Sequence, residues 1–143
     1  MKEGYSLMEL IAVLAIISIL SLISYPSYQQ FLIRAHRNEG HIALLDLANR
    51  MEWHYTQHQS YQTATIAQHQ PTDVLCVDQS TNGWYTLSIT ESSNTGYTLK
   101  ATPRGAQAIG DKQCQSLTHN SQGVRGIANG PMGVPLGNAA DCW

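Results

Sequence analysis

Charge is what this chain of 143 residues has least of: Asp, Glu, Lys and Arg together make up 13% of it, about half the usual share. Eight Lys and Arg against ten Asp and Glu leave a formal charge of −2. That excludes a surface that grips nucleic acid over its whole extent by releasing counterions. Catalytic signatures are missing as well. The sequence holds no H-E-x-x-H, no G-x-S-x-G and no phosphate-binding loop, so nothing in it points to an enzyme. The three cysteines lack C-x-x-C spacing, which leaves zinc without a ligand pattern. Disorder is excluded from the other side, because 43% hydrophobic residues can bury a core. The length allows one domain, or one small domain with an appendage.

The scarcity of charge is not evenly spread. From Leu10 to Ile33 there is none, a run of 24 residues. As a helix it would span about 36 Å, enough to cross a hydrocarbon core of about 30 Å. Leu10 to Ile23 contains ten Leu, Ile or Val residues, worth about 3 to 6 kcal/mol in favour of the bilayer. A removable signal peptide would want a cationic start and a small-residue cleavage site after the apolar stretch. Instead the chain opens Met1-Lys2-Glu3-Gly4, and the run passes into Ser24-Tyr25-Pro26-Ser27-Tyr28. A retained N-terminal anchor is the better reading. Glu9 stands at its mouth, where an unpaired carboxylate in lipid costs about 2.5 to 3.5 kcal/mol. Ser6-Leu7-Met8-Glu9 fits an S-x-x-E capping box. The alternative is that Glu9 awaits a cation on another chain.

Gly4-Tyr5-Ser6-Leu7-Met8-Glu9-Leu10, followed directly by the apolar run, resembles the start of a type IV pilin. The resemblance implies cleavage by a prepilin peptidase after Gly4 and N-methylation of Tyr5. It also implies that Glu9 pairs with the terminal amine of a neighbouring subunit during assembly, and that Pro26 kinks the long N-terminal helix. Tyr5 and Met8 replace the family's commoner phenylalanine and isoleucine, and Glu3 stands where basic residues are usual. A buried carboxylate–ammonium pair of this kind specifies register more than it adds stability.

Beyond Ser27 the pattern stays helical to about His58 but turns amphipathic. Tyr28, Phe31, Leu32 and Ala35 share one face, as do Leu44, Leu47, Ala48, Met51 and Tyr55. Arg34, Arg37, Asn38, Glu39 and His41 form a polar interval broken by Gly40. Tyr61 to Val77 reads as a loop. Trp84–Thr90 and Tyr97–Thr102 read as strands around a turn-rich link, with Gln115–His119 and a brief Val124-Arg125 to follow. Gly126 to Gly137 reads as loop. The expectation is an α+β fold: a long N-terminal α-helix, membrane-spanning and then amphipathic, packed on a small antiparallel β-sheet head, the type IV pilin fold. Its divisions would be a leader over 1–4, a filament-core helix over 5–26 and a globular head over 27–143. YTLKATPR (Tyr97–Arg104), Cys114 and the ending Cys142-Trp143 resemble minor pilins of the PilE type.

Pairing Cys114 with Cys142 would close 27 intervening residues, worth about 3.5 kcal/mol in the chain-entropy model. It would also tie down an otherwise unsupported C-terminal loop. Cys76 then reads as a buried thiol in preference to an intersubunit partner, and its pairing with either of the others stays open. His54 and His58 share a helix face without a third ligand fixed by spacing, so they read as solvated histidines, and no metal or other cofactor is expected. After position 91 the only acids are Asp111 and Asp141, too few for the calcium cage of a major secretion pseudopilin. The cations there are Lys100, Arg104, Lys112 and Arg125, which a DNA-receptor pilin could use to neutralise a few phosphates.

The function expected is a minor subunit of a type IV pilus, serving pilus biogenesis, adhesion or twitching motility. The alternatives are a secretion-system pseudopilin and a DNA-receptor pilin for natural transformation. The implied partners are other pilins, the prepilin peptidase, the inner-membrane assembly machinery and membrane lipid, with DNA as a further candidate. The implied location is the inner membrane before assembly, and the extracellular pilus or periplasmic pseudopilus after it.

Overall fold

The computed structural model describes residues 6–66 and 77–143, which divide between two compact units, Met1–Arg34 and Ala35–Trp143. Gly4, Tyr5 and Cys76 lie outside the described residues. Helix α1 (Leu7–His58) contributes to both units and runs through Pro26 as helix. Up to Arg34 it fully buries no described side chain: Leu10, Ile16, Leu20 and Ile23 are all exposed, as are Tyr28 and Phe31, and only Leu32 and Ile33 are half-buried. The stripe expected from Tyr28 to Ala35 is therefore not a core stripe of this chain.

From Gly40 the helix behaves differently. Gly40, Leu44, Leu47, Ala48 and Met51 recur at spacings of three and four and are buried. They pack into one core with Tyr85, Leu87, Leu99, Ala101 and Leu117 of the sheet. Each large side chain fully buried there contributes about 1.5 to 3 kcal/mol. Gly40 sits where helix and sheet come closest. A Cβ at this position would lie 3.1 Å from the Tyr85 ring and 3.2 Å from Leu117 Cδ1.

The sheet is a meander of four antiparallel strands in the order β1 (Tyr85–Ser92), β2 (Tyr97–Pro103), β3 (Ser116–Asn120), β4 (Arg125–Ala128). In β2 the strict alternation of buried and half-buried residues turns Tyr97, Leu99, Ala101 and Pro103 to the helix. A register shift between Ile89 and Glu91 places Glu91 opposite Thr98, the mark of a bulge. The link between β1 and β2 closes on Ser93, whose N–H donates to Gly96 O at 2.8 Å.

Two short helices were not legible: α2 (Gly105–Gly110) and α3 (Ala139–Cys142). Six and four residues are too few to show helical periodicity, and glycine stands at both ends of α2. The fourth strand also extends into Gly126–Ala128, which read as loop. Pairing with β3 decides there what local composition does not.

Candidate functional site

Three features of the sequence invite a functional reading: the apolar half of α1, the polar interval that follows it, and the C-terminal loop. In the first, Ser6 immediately precedes the helix and its carbonyl accepts from Glu9 N at 3.0 Å and Leu10 N at 3.2 Å. Glu9 thus occupies the first turn, where a carboxylate suits the positive helix end. The hydroxyls of Ser18 and Ser21 donate back to Leu14 O and Ile17 O at 2.7 and 2.8 Å. These bonds satisfy the two hydroxyls within the helix itself, so they impose little cost on an apolar surround. Among the described residues this is the one helix long and apolar enough to cross a membrane.

The polar interval, which the sequence presents as a break between two apolar stripes, is in fact a row of clamps. Arg37 donates from Nε and Nη2 to the two carboxylate oxygens of Asp111 at 2.9 and 2.8 Å. Asp111 is 1% exposed, so this bidentate pair lies inside the head. Gln107 completes it, donating to Asp111 Oδ2 and to the Tyr85 hydroxyl. Burial raises the Tyr85 phenol well above its usual range, so it stays protonated. His36 stacks on Trp84 with ring centres 3.8 Å apart and donates from Nδ1 to Gln107 Oε1. Glu39 accepts the backbone N–H and the side-chain amide of Asn82, each at 2.8 Å. Burial works against its carboxylate, but bonds from Ser80 and Asn82 outweigh that and hold the group below its usual range. Nothing in local pattern distinguishes such residues from a solvated face.

At the helix's far end Glu52 gathers two phenols, accepting from Tyr61 at 2.9 Å and Tyr97 at 3.0 Å. Burial and this carboxylate push Tyr61 up to about 12.

The disulfide joins Cys114 to Cys142, the pairing expected to secure the C-terminal loop. Its neighbour Trp143 is fixed by three contacts. The indole N–H donates to Gly126 O at 2.8 Å, the ring stacks on His41 at 4.4 Å, and the Arg125 guanidinium lies 5.4 Å from its centre. His41 donates from Nε2 to Cys142 O at 2.8 Å. His119 faces the same indole, and its Nδ1 is buried without a partner among the described residues. Burial lowers the pKa of both histidines, and Arg125 adds to that in each case.

The four cations considered for DNA do not share one patch. Lys100 pairs in register with Ser88 and Thr118 on the sheet face turned away from the helix. Arg125, opposite His119, is on the helix side. Arg104 precedes α2, and Lys112 lies in the turn after it. None of the four forms an ion pair among the described residues. His54 and His58 stack at 4.2 Å, and His58 Nδ1 donates to His54 O. The described residues hold no group of three or more His, Cys, Asp or Glu placed to share a metal ion.

Set beside known proteins, residues 26–118 match the family model described as type IV minor pilin ComP, DNA uptake sequence receptor. Among solved structures, the crystal structure of the Neisseria meningitidis non-core minor pilin PilV is similar in fold, with a TM-score of 0.53 at 20% identity. The match covers 76% of this chain and 98% of that one. No curated protein matches.

Proposed function

Belonging as it does to the ComP family of type IV minor pilins, the chain is a minor subunit of a type IV pilus, and we propose that its two units divide the labour of anchoring and display. The apolar half of α1 holds the subunit in the inner membrane and then enters the filament beside the helices of other pilins. Cleavage after Gly4 and methylation of Tyr5 would prepare that end. Glu9 would set the register by meeting the new terminal amine of a neighbour, and Pro26 would bend the helix. The head, residues 27–143, would face solvent and partners. The observation that carries this reading is the exposed apolar surface from Leu10 to Ile23 with one carboxylate at its mouth. Exchange of lipid for helix contacts of similar apolarity lets one surface serve both settings. Glu9→Ala should leave membrane insertion intact and reduce recovery of the subunit in sheared filaments. Undiminished recovery would remove the register role.

A second reading, that the head also captures DNA, is favoured by the family description, which names a DNA uptake sequence receptor. Lys100, Arg104, Lys112 and Arg125 would neutralise phosphates. The full-length chain in detergent micelles should then shift the anisotropy of a labelled DNA duplex, with affinity falling as salt rises. Arg104→Ala and Arg125→Ala should each weaken it. No shift at low salt would eliminate DNA capture while leaving the subunit role intact. The family match favours a pilus over a secretion pseudopilus.

A further inference from the structure

Between the start of β1 and the start of α2 lies an open hollow of about 340 Å³, lined by Gln79, Asn82, Gly83, Trp84, Arg104 and Gly105. It combines the three chemistries that single nucleotides are recognised by. The first is a fixed aromatic ring. His36 stacks on Trp84 and is itself tied to Gln107, so the indole's position is set before any ligand arrives. The second is an unspent cation. Arg104 is exposed and forms no ion pair among the described residues, while its backbone N–H donates to Trp84 O at 2.9 Å and keeps the two side chains on neighbouring segments. The third is a pair of amides. Asn82 is oriented by its bonds to Glu39, which use its Nδ2 and leave Oδ1 outside that contact. Gln79 completes the wall. At Gly105 a Cβ would meet nothing within 4 Å, so the floor beside Arg104 is open.

A concave site cannot enter a groove of duplex DNA, which is read by elements that protrude. It can accept a base that has left the stack. Base–aromatic stacking, an arginine on the phosphate and amides on the base edge are how unpaired strands are held. We propose that this hollow binds an unpaired nucleotide of a DNA strand, with the base against Trp84, its edge toward Gln79 and Asn82, and a phosphate at Arg104. The inference rests on the DNA reading above and specifies which form of DNA the head takes and where.

The test uses the full-length chain in detergent micelles with a labelled 12-mer single strand, the matching duplex, and the same duplex carrying one extrahelical base. The single strand and the bulged duplex should bind at least about fivefold tighter than the perfect duplex. Arg104→Ala and Gln79→Ala should each cancel most of that preference. Lys100→Ala, outside the lining, should weaken all three probes alike. Because Trp84→Ala would also remove the His36 stack, the indole is better tested in the unaltered protein. A 5-bromodeoxyuridine at the unpaired position should photocrosslink to a peptide containing Trp84. Equal affinity for the three probes, or a crosslink elsewhere, overturns the hollow and leaves DNA capture standing. Failure of all three probes to bind at low salt removes both.

Discussion

One helix, two fates: up to Arg34 α1 fully buries none of its described large apolar side chains, with only Leu32 and Ile33 half-buried. From Gly40 it buries one face, Leu44, Leu47 and Met51, while Ile42, Leu45 and Trp53 stay exposed. Leu22 is 77% exposed and Leu44 0%, although the two are the same residue type in the same kind of backbone. The difference is where partners come from. Leu44 is covered by this chain's own sheet, and its neighbours Arg37, Glu39 and His41 are bound to Asp111, Asn82 and the Cys142–Trp143 end. Leu22 has no such cover among the described residues, and its proposed cover is lipid or the helix of another subunit. Stability of the head is thus an internal property, whereas stability of the apolar half belongs to the assembly.

Breaking the head should therefore cost folding free energy, and altering the apolar half should not. The largest loss is expected from Asp111→Ala, which strands the Arg37 guanidinium in a buried site at about 3 to 5 kcal/mol. Urea unfolding followed by circular dichroism would measure it. Replacing both Cys114 and Cys142 by serine should cost about 3.5 kcal/mol by loop entropy alone, and should expose the segment between them to protease first. Ile16→Arg sharpens the contrast. It should raise the free energy of membrane insertion by about 3 kcal/mol, visible as loss from the membrane fraction, with the head's unfolding midpoint unchanged.

The smallest effect is one of acidity. His41 and His119 have lowered pKa values in the folded head, so the unfolded chain takes up protons more readily. Their contribution is complete above the ordinary value of 6.5 and is lost as pH falls through it toward the folded values. The melting temperature should drop between pH 7.5 and 5, and His41→Phe, which keeps a ring against Trp143, should flatten that drop. An unchanged slope in the variant would show that the indole contact does not depend on the charge of His41.

Much of this was legible because it repeats. The 24-residue uncharged run, the stripe Leu44–Leu47–Ala48–Met51 and the alternation in Tyr97–Pro103 all state their surroundings through period and composition. The meander followed from that alternation, whereas the Cys114–Cys142 bond was expected from the loop it ties down, with Cys76 open as a partner of either. What period cannot encode is contact between residues far apart in the chain. Arg37 and Asp111 are 74 positions apart and His41 and Cys142 are 101 apart, so the clamps looked like an ordinary polar face. The hollow beside Trp84 was hidden for the same reason, since Gln79 and Arg104 become neighbours only once β1 and β2 have paired.

The most direct test of this division between chain and assembly is mass spectrometry of the protein recovered from sheared, purified pili. The expected result is a chain that begins at N-methylated Tyr5, the end that Glu9 of a neighbour is proposed to meet. Finding the polypeptide only as an uncut, water-soluble monomer that still carries Met1 would contradict it.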